Sequence, residues 1–307
     1  MEALALWGLR CAAWTLRRCP SRVGRGLGRT MGWLWYRVVP IRRRVARENI
    51  GRALGVSGGE RERLVREMYL HLGESFIEFL RYGAQPTHTL PIVFEGLGRL
   101  SEALEAGRGV IFITAHLGNW ELLVRGGALV DAPVMVVSKT LKSRLAQGLW
   151  MSTRAGGAEI VFPQGAARKL VAQLRGNGVV GYVLDQHTPS ERAVWLPFFG
   201  RPAATSPDVV RLARATGAVV LPVFIHRTEV GHRIDVGAPV EMPSTGNRRA
   251  DDLEGTRRCL GLIEDAIRQT PSQWLWIHRR WKPPPPAVAQ VLSNQDAADG
   301  RQRWASS

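Results

Sequence analysis

Apolar runs alternate with helical patterns along most of the chain. Residues 109–115, 134–138, 179–184, 218–225 and 234–236 are strand-like, and their near-continuous apolar character is that of strands covered on both faces. Residues 60–82 set Leu64, Met68, Leu72, Phe76 and Phe79 at three- and four-residue spacing, which predicts a packed helix. Further helices are predicted over 120–130, 142–154, 166–175, 207–216 and 251–269. Strands alternating with helices predict an α/β fold, a mostly parallel sheet flanked by helices. In such sheets ligands gather at the carboxyl ends of strands, where His116 and Asp185 both fall.

At 307 residues, with 45% hydrophobic and 22% charged positions, the chain fits one large α/β domain or such a domain with an extra helical segment. The periodic pattern assigns residues 53–282 to that domain. It stops at the Pro283-Pro284-Pro285-Pro286 run, so residues 283–307 are expected to be a disordered tail. No internal repeat is found. Cys11, Cys19 and Cys259 have neither metal nor redox spacing, which implies a reducing compartment and no structural zinc. His187, His226, His232 and His278 lack mutual ligand spacing, so no metal is expected.

Charge changes the picture of the first 52 residues. The chain carries a formal charge of +16, and residues 1–52 hold twelve arginines against Glu2 and Glu48. Among those cations lie Leu4, Leu6, Trp7, Leu9, Trp14, Trp33, Leu34, Trp35 and Tyr36, the pattern of a basic amphipathic segment that lies on a membrane. Arg10 interrupts the apolar stretch 3–16, which is in any case shorter than the roughly 20 residues a crossing needs. The interruption, with Arg17-Arg18-Cys19-Pro20 behind it, also argues against a signal peptide. The rival explanation of so much arginine is nucleic acid, but no zinc-finger spacing, Arg-rich recognition helix or RNA-binding aromatic signature appears, and no nucleic-acid partner is expected.

The candidate chemistry sits at one corner, His116-Leu117-Gly118-Asn119-Trp120-Glu121, directly after the apolar run 109–115. On a continuous helix a separation of five would put His116 and Glu121 about 140° apart. With the strand ending at Ala115, Gly118 permits an unusual backbone angle and Asn119 caps a helix starting at Trp120. Glu121 then points back at His116, accepts the proton of one ring nitrogen and leaves the other as a general base. The bland alternative is a turn histidine beside a capping glutamate. Backbone amides from Gly118 to Trp120 are candidate oxyanion donors, with Arg154 as the nearby cation. Asp185 is a candidate to position Arg154 or the acceptor. Arg279 and Arg280 are candidates for acceptor phosphates or lipid headgroups, and Trp274, Trp276 and Trp281 for core or interfacial packing.

Four further segments accompany this corner: Arg154-Ala155-Gly156-Gly157, Asp185-Gln186-His187-Thr188-Pro189, Val194-Trp195-Leu196-Pro197-Phe198-Phe199-Gly200, and the run from Gln273 through Trp274, Trp276, His278, Arg279, Arg280 and Trp281 to Lys282. Together, over residues 40–282, they resemble the bacterial lipid A late acyltransferases, within the glycerolipid acyltransferase superfamily marked by His-x4-acid. The resemblance implies a glycerolipid acyltransferase-like fold. It implies transfer of an acyl chain from an acyl carrier protein thioester to a hydroxyl of a lipid A precursor, at the cytoplasmic face of the inner membrane and without a cofactor. It makes His116 the base and Glu121 its orienting acid, with Gly118 and Asn119 at the substrate. Two departures stand out. The first segment is broken by Arg10, and the Gln-His-Thr-Pro turn after Asp185 is a form shared with relatives that acylate other lipids. A phosphatidylinositol mannoside or an aminolipid therefore stays open as the acceptor.

Overall fold

The structure is a computed structural model. It describes Gly8 and residues 13–82, 89–138, 143, 147–148, 150–151, 154, 157–162, 165–189, 191 and 193–283. Three helices come first: α1 (Ser21–Arg37), α2 (Arg43–Leu54) and α3 (Gly58–Tyr82). Then follow β1 (Ile92–Glu95), α4 (Leu97–Glu105), β2 (Val110–Thr114), α5 (Trp120–Gly126), β3 (Val134–Val137), β4 (Glu159–Val161), α6 (Ala166–Arg175) and β5 (Val179–Val183). The chain continues through β6 (Val194–Phe198), β7 (Arg201–Thr205), α7 (Asp208–Thr216), β8 (Val219–Arg227), β9 (His232–Val236) and α8 (Arg248–Gln269).

Seven strands form one sheet in the order β1-β9-β8-β2-β5-β3-β4, all neighbours parallel except β8 and β9. The expected mostly parallel sheet is thus present. β2 lies inside it and runs beside β5 with Thr114 opposite Val183. Its Ile111 and Ile113 face one core, shared with α6, α8 and the tryptophans near the C-terminus, while Val110 belongs to a second core with Leu100, Leu122, Ile225 and Ile234. β6 and β7 form a separate antiparallel hairpin closed by Phe199 and Gly200, both at positive φ, the geometry of a type I′ turn. β1, β4, this hairpin, α2 and α4 are not among the elements the sequence pattern predicted.

Residues 21–52 pack closely against the rest of the described chain. α1 turns Gly24, Gly28 and Gly32, one face at four-residue spacing, onto α3. A Cβ on Gly32 would lie 2.2 Å from the Tyr69 carbonyl oxygen, and one on Gly28 would lie 2.5 Å from Glu74 Cα. Such backbone-to-backbone approach tolerates no side chain. Arg29 also reaches Glu74 at 2.9 Å. α2 runs through the expected boundary at residue 52, and its Ala46 and Ile50 are fully buried in the main core. The helices therefore belong to the same folded unit as the sheet. The opposite face of α1 stays apolar and exposed at Val23, Leu27, Trp33 and Leu34, continued by Val38, Val39 and Ile41, among exposed arginines 22, 25, 37, 42 and 44. No helix among the described residues is long and apolar enough to cross a membrane. Apart from Pro283, the tail assigned to residues 283–307 lies outside the described residues, as does most of the helix predicted over 142–154.

Gly32→Leu is expected to lower stability by about 1–3 kcal/mol or more, the range for overpacking, because the clash is with backbone and no rotamer relieves it. Thermal denaturation followed by circular dichroism measures this; an unchanged melting temperature would mean that α1 is not seated on α3.

Candidate active site

The corner forms because β2 ends at Thr114 and the chain turns through Gly118 into α5. Gly118 has φ of +58°, and a Cβ there would lie 2.0 Å from the Ile225 carbonyl oxygen, so only glycine fits. His116 stands at the carboxyl end of β2 and Asp185 at that of β5, each two residues beyond the paired Thr114 and Val183. Adjacent parallel strands thus deliver an imidazole and a carboxylate to the same level.

They meet directly. His116 Nδ1 lies 2.8 Å from Asp185 Oδ1, and the His116 backbone N–H donates to Asp185 Oδ2 at 2.8 Å. Trp274 Nε1–H donates to the same Oδ2 at 2.7 Å. Burial pushes the Asp185 carboxyl up, but the His116 imidazole, the backbone N–H and the Trp274 indole outweigh it and hold the group at about 2. An ionised carboxylate only accepts hydrogen bonds, so Nδ1 carries the imidazole proton and Nε2 presents its lone pair. The Gln186 side-chain amide lies 3.1 Å from Nε2, and the Trp120 ring packs edge-on against the imidazole with centroids 5.2 Å apart. The His116 side chain remains 21% exposed while that of Asp185 is 2% exposed, so a substrate reaches the base and not its acid.

Glu121 is not the acid on His116, contrary to the expectation from their spacing. Its two oxygens accept from Arg154 Nε at 2.8 Å and Nη2 at 3.0 Å, from Trp120 Nε1 at 3.1 Å and from Trp150 Nε1 at 3.0 and 3.1 Å. Those donors occupy the carboxylate. Arg154 in turn donates to Ser138 Oγ at 3.1 Å and lies over the Trp150 ring, so its charge is balanced by Glu121 instead of being offered to an oxyanion. The expected link from Asp185 to Arg154 is likewise replaced by two separate pairs, His116–Asp185 and Glu121–Arg154.

Other expected site residues have structural tasks. Asn119 starts α5 without a side-chain cap; its amide points into the protein and donates to Glu78 Oε2 at 2.9 Å. Glu78 also binds Arg227 and His232. Burial pushes its carboxyl up, but hydrogen bonds from His232 and Arg227 prevail and keep it below the usual carboxylate range. The Gly118 N–H donates to the Gln273 carbonyl at 3.0 Å, so it is spent as an oxyanion donor. Arg280 is fully buried and donates to the carbonyls of Gln186 at 3.1 Å and Ala204 at 2.5 Å and to Thr205 Oγ1 at 2.6 Å. Burial pushes its guanidinium down to about 10, against the opposing pull of Asp185. It is a brace behind the dyad, not a phosphate ligand, whereas Arg279 is exposed. Trp274 and Trp276 are core residues, as their packing role implied, and Trp274 is also an unforeseen donor to Asp185. Gln186, Trp150 and Ser138 were likewise given no role: Gln186 directly follows Asp185 and Trp150 lies close before Arg154, whereas Ser138, just past β3, carried no such signal.

The string Gly55-Val56-Ser57-Gly58-Gly59 has the spacing of a nucleophile elbow, but it joins α2 to α3. A nucleophile elbow links a strand to a helix, so this serine lacks that setting.

His116 opens onto an apolar cavity of about 550 Å³ between the sheet and α5. Phe112 and Thr114 of β2, Val134 and Val136 of β3, Gly181 of β5 and Leu123 of α5 line it. The volume suits a small-molecule site. Thr114 Oγ1 is a buried polar atom on this wall without a hydrogen-bond partner.

An α/β sheet thus sets a carboxylate-paired imidazole at the mouth of an apolar cavity. Residues 2–283 match the family described as bacterial lipid A biosynthesis acyltransferase. The chain belongs to that family, and is an acyltransferase. It is 26% identical over 281 residues to the lipid A biosynthesis palmitoleoyltransferase of Escherichia coli (strain K12), covering 89% of each chain. It is 23% identical over 280 residues to the lipid A biosynthesis lauroyltransferase of the same strain, covering 90% of each. With the phosphatidylinositol mannoside acyltransferase of Mycobacterium tuberculosis (strain CDC 1551 / Oshkosh) it shares 29% identity over 194 residues, 62% of this chain and 60% of that one.

Proposed function

We propose that the protein transfers a fatty acyl chain from the thioester of acyl carrier protein to a hydroxyl of a lipid A precursor, at a membrane surface. The observation that carries this reading is the His116–Asp185 pair, 2.8 Å apart, at the mouth of the apolar cavity. An alcohol is a poor nucleophile at neutral pH. His116 Nε2 takes its proton as the oxygen attacks the thioester carbonyl carbon, and Asp185 stabilises the imidazolium that results. The tetrahedral intermediate collapses by breaking the C–S bond, and the departing thiolate takes the proton from the imidazolium, restoring the neutral base. The Gln186 amide and the Thr114 hydroxyl are the polar side chains beside this centre that suit the oxyanion and the incoming alcohol. The cavity holds the acyl chain. Arg154, Trp150 and Ser138 form its polar wall, and Glu121 holds Arg154 and Trp150 in place.

The test is incubation of the purified protein with acyl carrier thioesters and membranes containing lipid A precursor, with mass spectrometry of the lipid product. An acylated precursor is expected; acylation of a different lipid in mixed membranes would reassign the acceptor. The phosphatidylinositol mannoside relative makes that lipid the second acceptor to include.

The exposed apolar face of α1 and residues 38–41, set among arginines, is proposed to lie in the headgroup region of the bilayer. Each large apolar side chain buried there contributes about 1.5–3 kcal/mol. Leu27→Ser combined with Trp33→Ser is therefore expected to weaken binding to anionic vesicles by at least about tenfold. Flotation assays measure it, and unchanged binding would exclude this face as the contact.

A further inference from the structure

Asn119 stands at the start of α5 and caps nothing, although asparagine is among the best residues for that task. It is 1% exposed, with its amide turned toward α3. There it donates to Glu78 Oε2 at 2.9 Å and reaches the Ser75 carbonyl at 3.4 Å. The same face of α3, at positions 71, 75 and 78, also carries His71, whose ring is hydrogen-bonded with the Gly118 backbone. One helix thus holds two successive residues of the turn that follows His116.

That turn needs holding, because Gly118 gives the backbone between His116 and α5 more freedom than another residue would. On one side the segment after α8 fixes it: the Gly118 N–H donates to the Gln273 carbonyl at 3.0 Å and the Leu275 N–H to the His116 carbonyl at 3.1 Å. On the other side the holder is Glu78. Its Oε1 accepts from Arg227 Nη1, and its Oε2 accepts from Arg227 Nη2 at 2.8 Å and from His232 Nε2 at 3.1 Å. Arg227 is itself locked, with Nε donating to His71 Nδ1 at 3.2 Å and Nη2 to Ser75 Oγ at 3.1 Å. Burial, and then the Arg227 charge, push His71 down to about 3, so its ring is neutral and Nδ1 accepts. The Arg227 backbone N–H donates to Gln273 Oε1 at 2.8 Å, so the two holds on the turn meet at this residue.

We propose that Glu78 is a positioning residue for the reaction: through Asn119 it fixes the turn between β2 and α5, and so sets where His116 Nε2 stands relative to the attacking hydroxyl. This rests on the acyl-transfer function proposed above. Glu78 bonds to Asn119 and not to His116, so it acts through the backbone of residues 117–119. A buried ion cluster is often no more stabilising than apolar residues of the same volume, and here its fixed set of bonds serves direction. Without the bond from Asn119, Asp185 still holds Nδ1, but the turn behind the ring relaxes. A misplacement of about 1 Å at the base is enough to cost about a hundredfold in rate.

The experiment compares wild type, Asn119→Ala, Glu78→Gln and the double variant. Three measurements are made on each: kcat and KM for acyl transfer, thermal melting, and the NMR resonances of the nitrogen-15-labelled His116 imidazole, assigned with His116→Ala. Asn119→Ala leaves Glu78 its bonds to Arg227 and His232, so it should melt near wild type. Its kcat is expected to fall by about ten- to a hundredfold with KM for the donor little changed, and the His116 resonances should move. Glu78→Gln should show the same loss in kcat together with a lower melting temperature, since Arg227 loses a buried partner. The double variant should lose no more kcat than Glu78→Gln alone, because both changes cut one link. Wild-type kcat in Asn119→Ala overturns the proposal, as do losses that add in the double variant or unchanged His116 resonances. A loss confined to KM overturns it too, by making Asn119 a substrate contact. If Glu78→Gln does not fold, Asn119→Ala decides by its kcat and its resonances. Resonances that move as expected in a protein whose wild type transfers no acyl chain uphold the positioning and overturn the proposed reaction, so the two failures are separable.

Discussion

His116→Ala is expected to lower kcat/KM for acyl transfer by about two to four orders of magnitude, the usual contribution of a positioned general base. The variant should fold. Asp185 loses the imidazole but keeps the backbone N–H of residue 116 and the Trp274 indole on Oδ2, so its buried charge retains two donors. The cavity beyond the corner is untouched, so KM for the donor should move little and the loss should sit in kcat. Steady-state kinetics on the purified variant, with donor binding measured separately, checks both statements. Transfer at the wild-type rate would remove His116 from the chemistry; a comparable loss in donor affinity would make it a binding residue instead.

Much of the sheet was legible because its strands are buried on both faces. The run Val110–Thr114 and the strand Val179–Val183 stand out as apolar segments without reference to anything else. Helix Ala166–Arg175 showed itself by its period, and its bounds coincide with those predicted. The pairing of His116 was not legible, since spacing along the chain favoured Glu121 and the true partner lies 69 residues away. Both His116 and Asp185 were visible as residues just past strand ends. What could not be read was that β2 and β5 are neighbours in the register Thr114 to Val183, which depends on the order of the whole sheet. The glycine face of α1 was missed for a different reason. A hydrophobicity pattern gives no weight to glycine, so Gly24, Gly28 and Gly32 vanished beneath the arginines and tryptophans around them. Arg279 and Arg280 illustrate a third limit. The segment bridges to Leu117 at Trp274 and runs on without helix, so the neighbouring cations separate, Arg280 to the interior and Arg279 to solvent.

Asp185→Asn is expected to cost about three to four orders of magnitude in rate, and the reason lies in the hydrogen bonds around it. Two donors, the His116 backbone N–H and the Trp274 indole, converge on Oδ2. In asparagine the single carbonyl oxygen must serve them, which turns the NH2 group toward His116 Nδ1. Nδ1 is then forced to accept, the imidazole proton moves to Nε2, and the nitrogen facing the substrate can no longer take the alcohol's proton. Nitrogen-15 chemical shifts of the labelled imidazole report this tautomer change directly. Glu121→Gln provides the contrast. It places an NH2 group among donors from Arg154, Trp120 and Trp150, so it loosens the Arg154 wall, and breaking such a partly buried pair is expected to destabilise the fold by up to about 3–5 kcal/mol. The His116 tautomer should stay as in wild type, with a rate loss smaller than that of Asp185→Asn. Because Asp185 is held at about 2, it stays ionised above pH 4, and its contribution to stability is present there and lost only as pH falls toward 2. Any acid limb in the rate profile between pH 5 and pH 8 therefore does not belong to Asp185. If Glu121→Gln, and not Asp185→Asn, moved the proton on His116, the adjacent-strand pair would have to give way to the His-x4-Glu pair suggested by spacing alone.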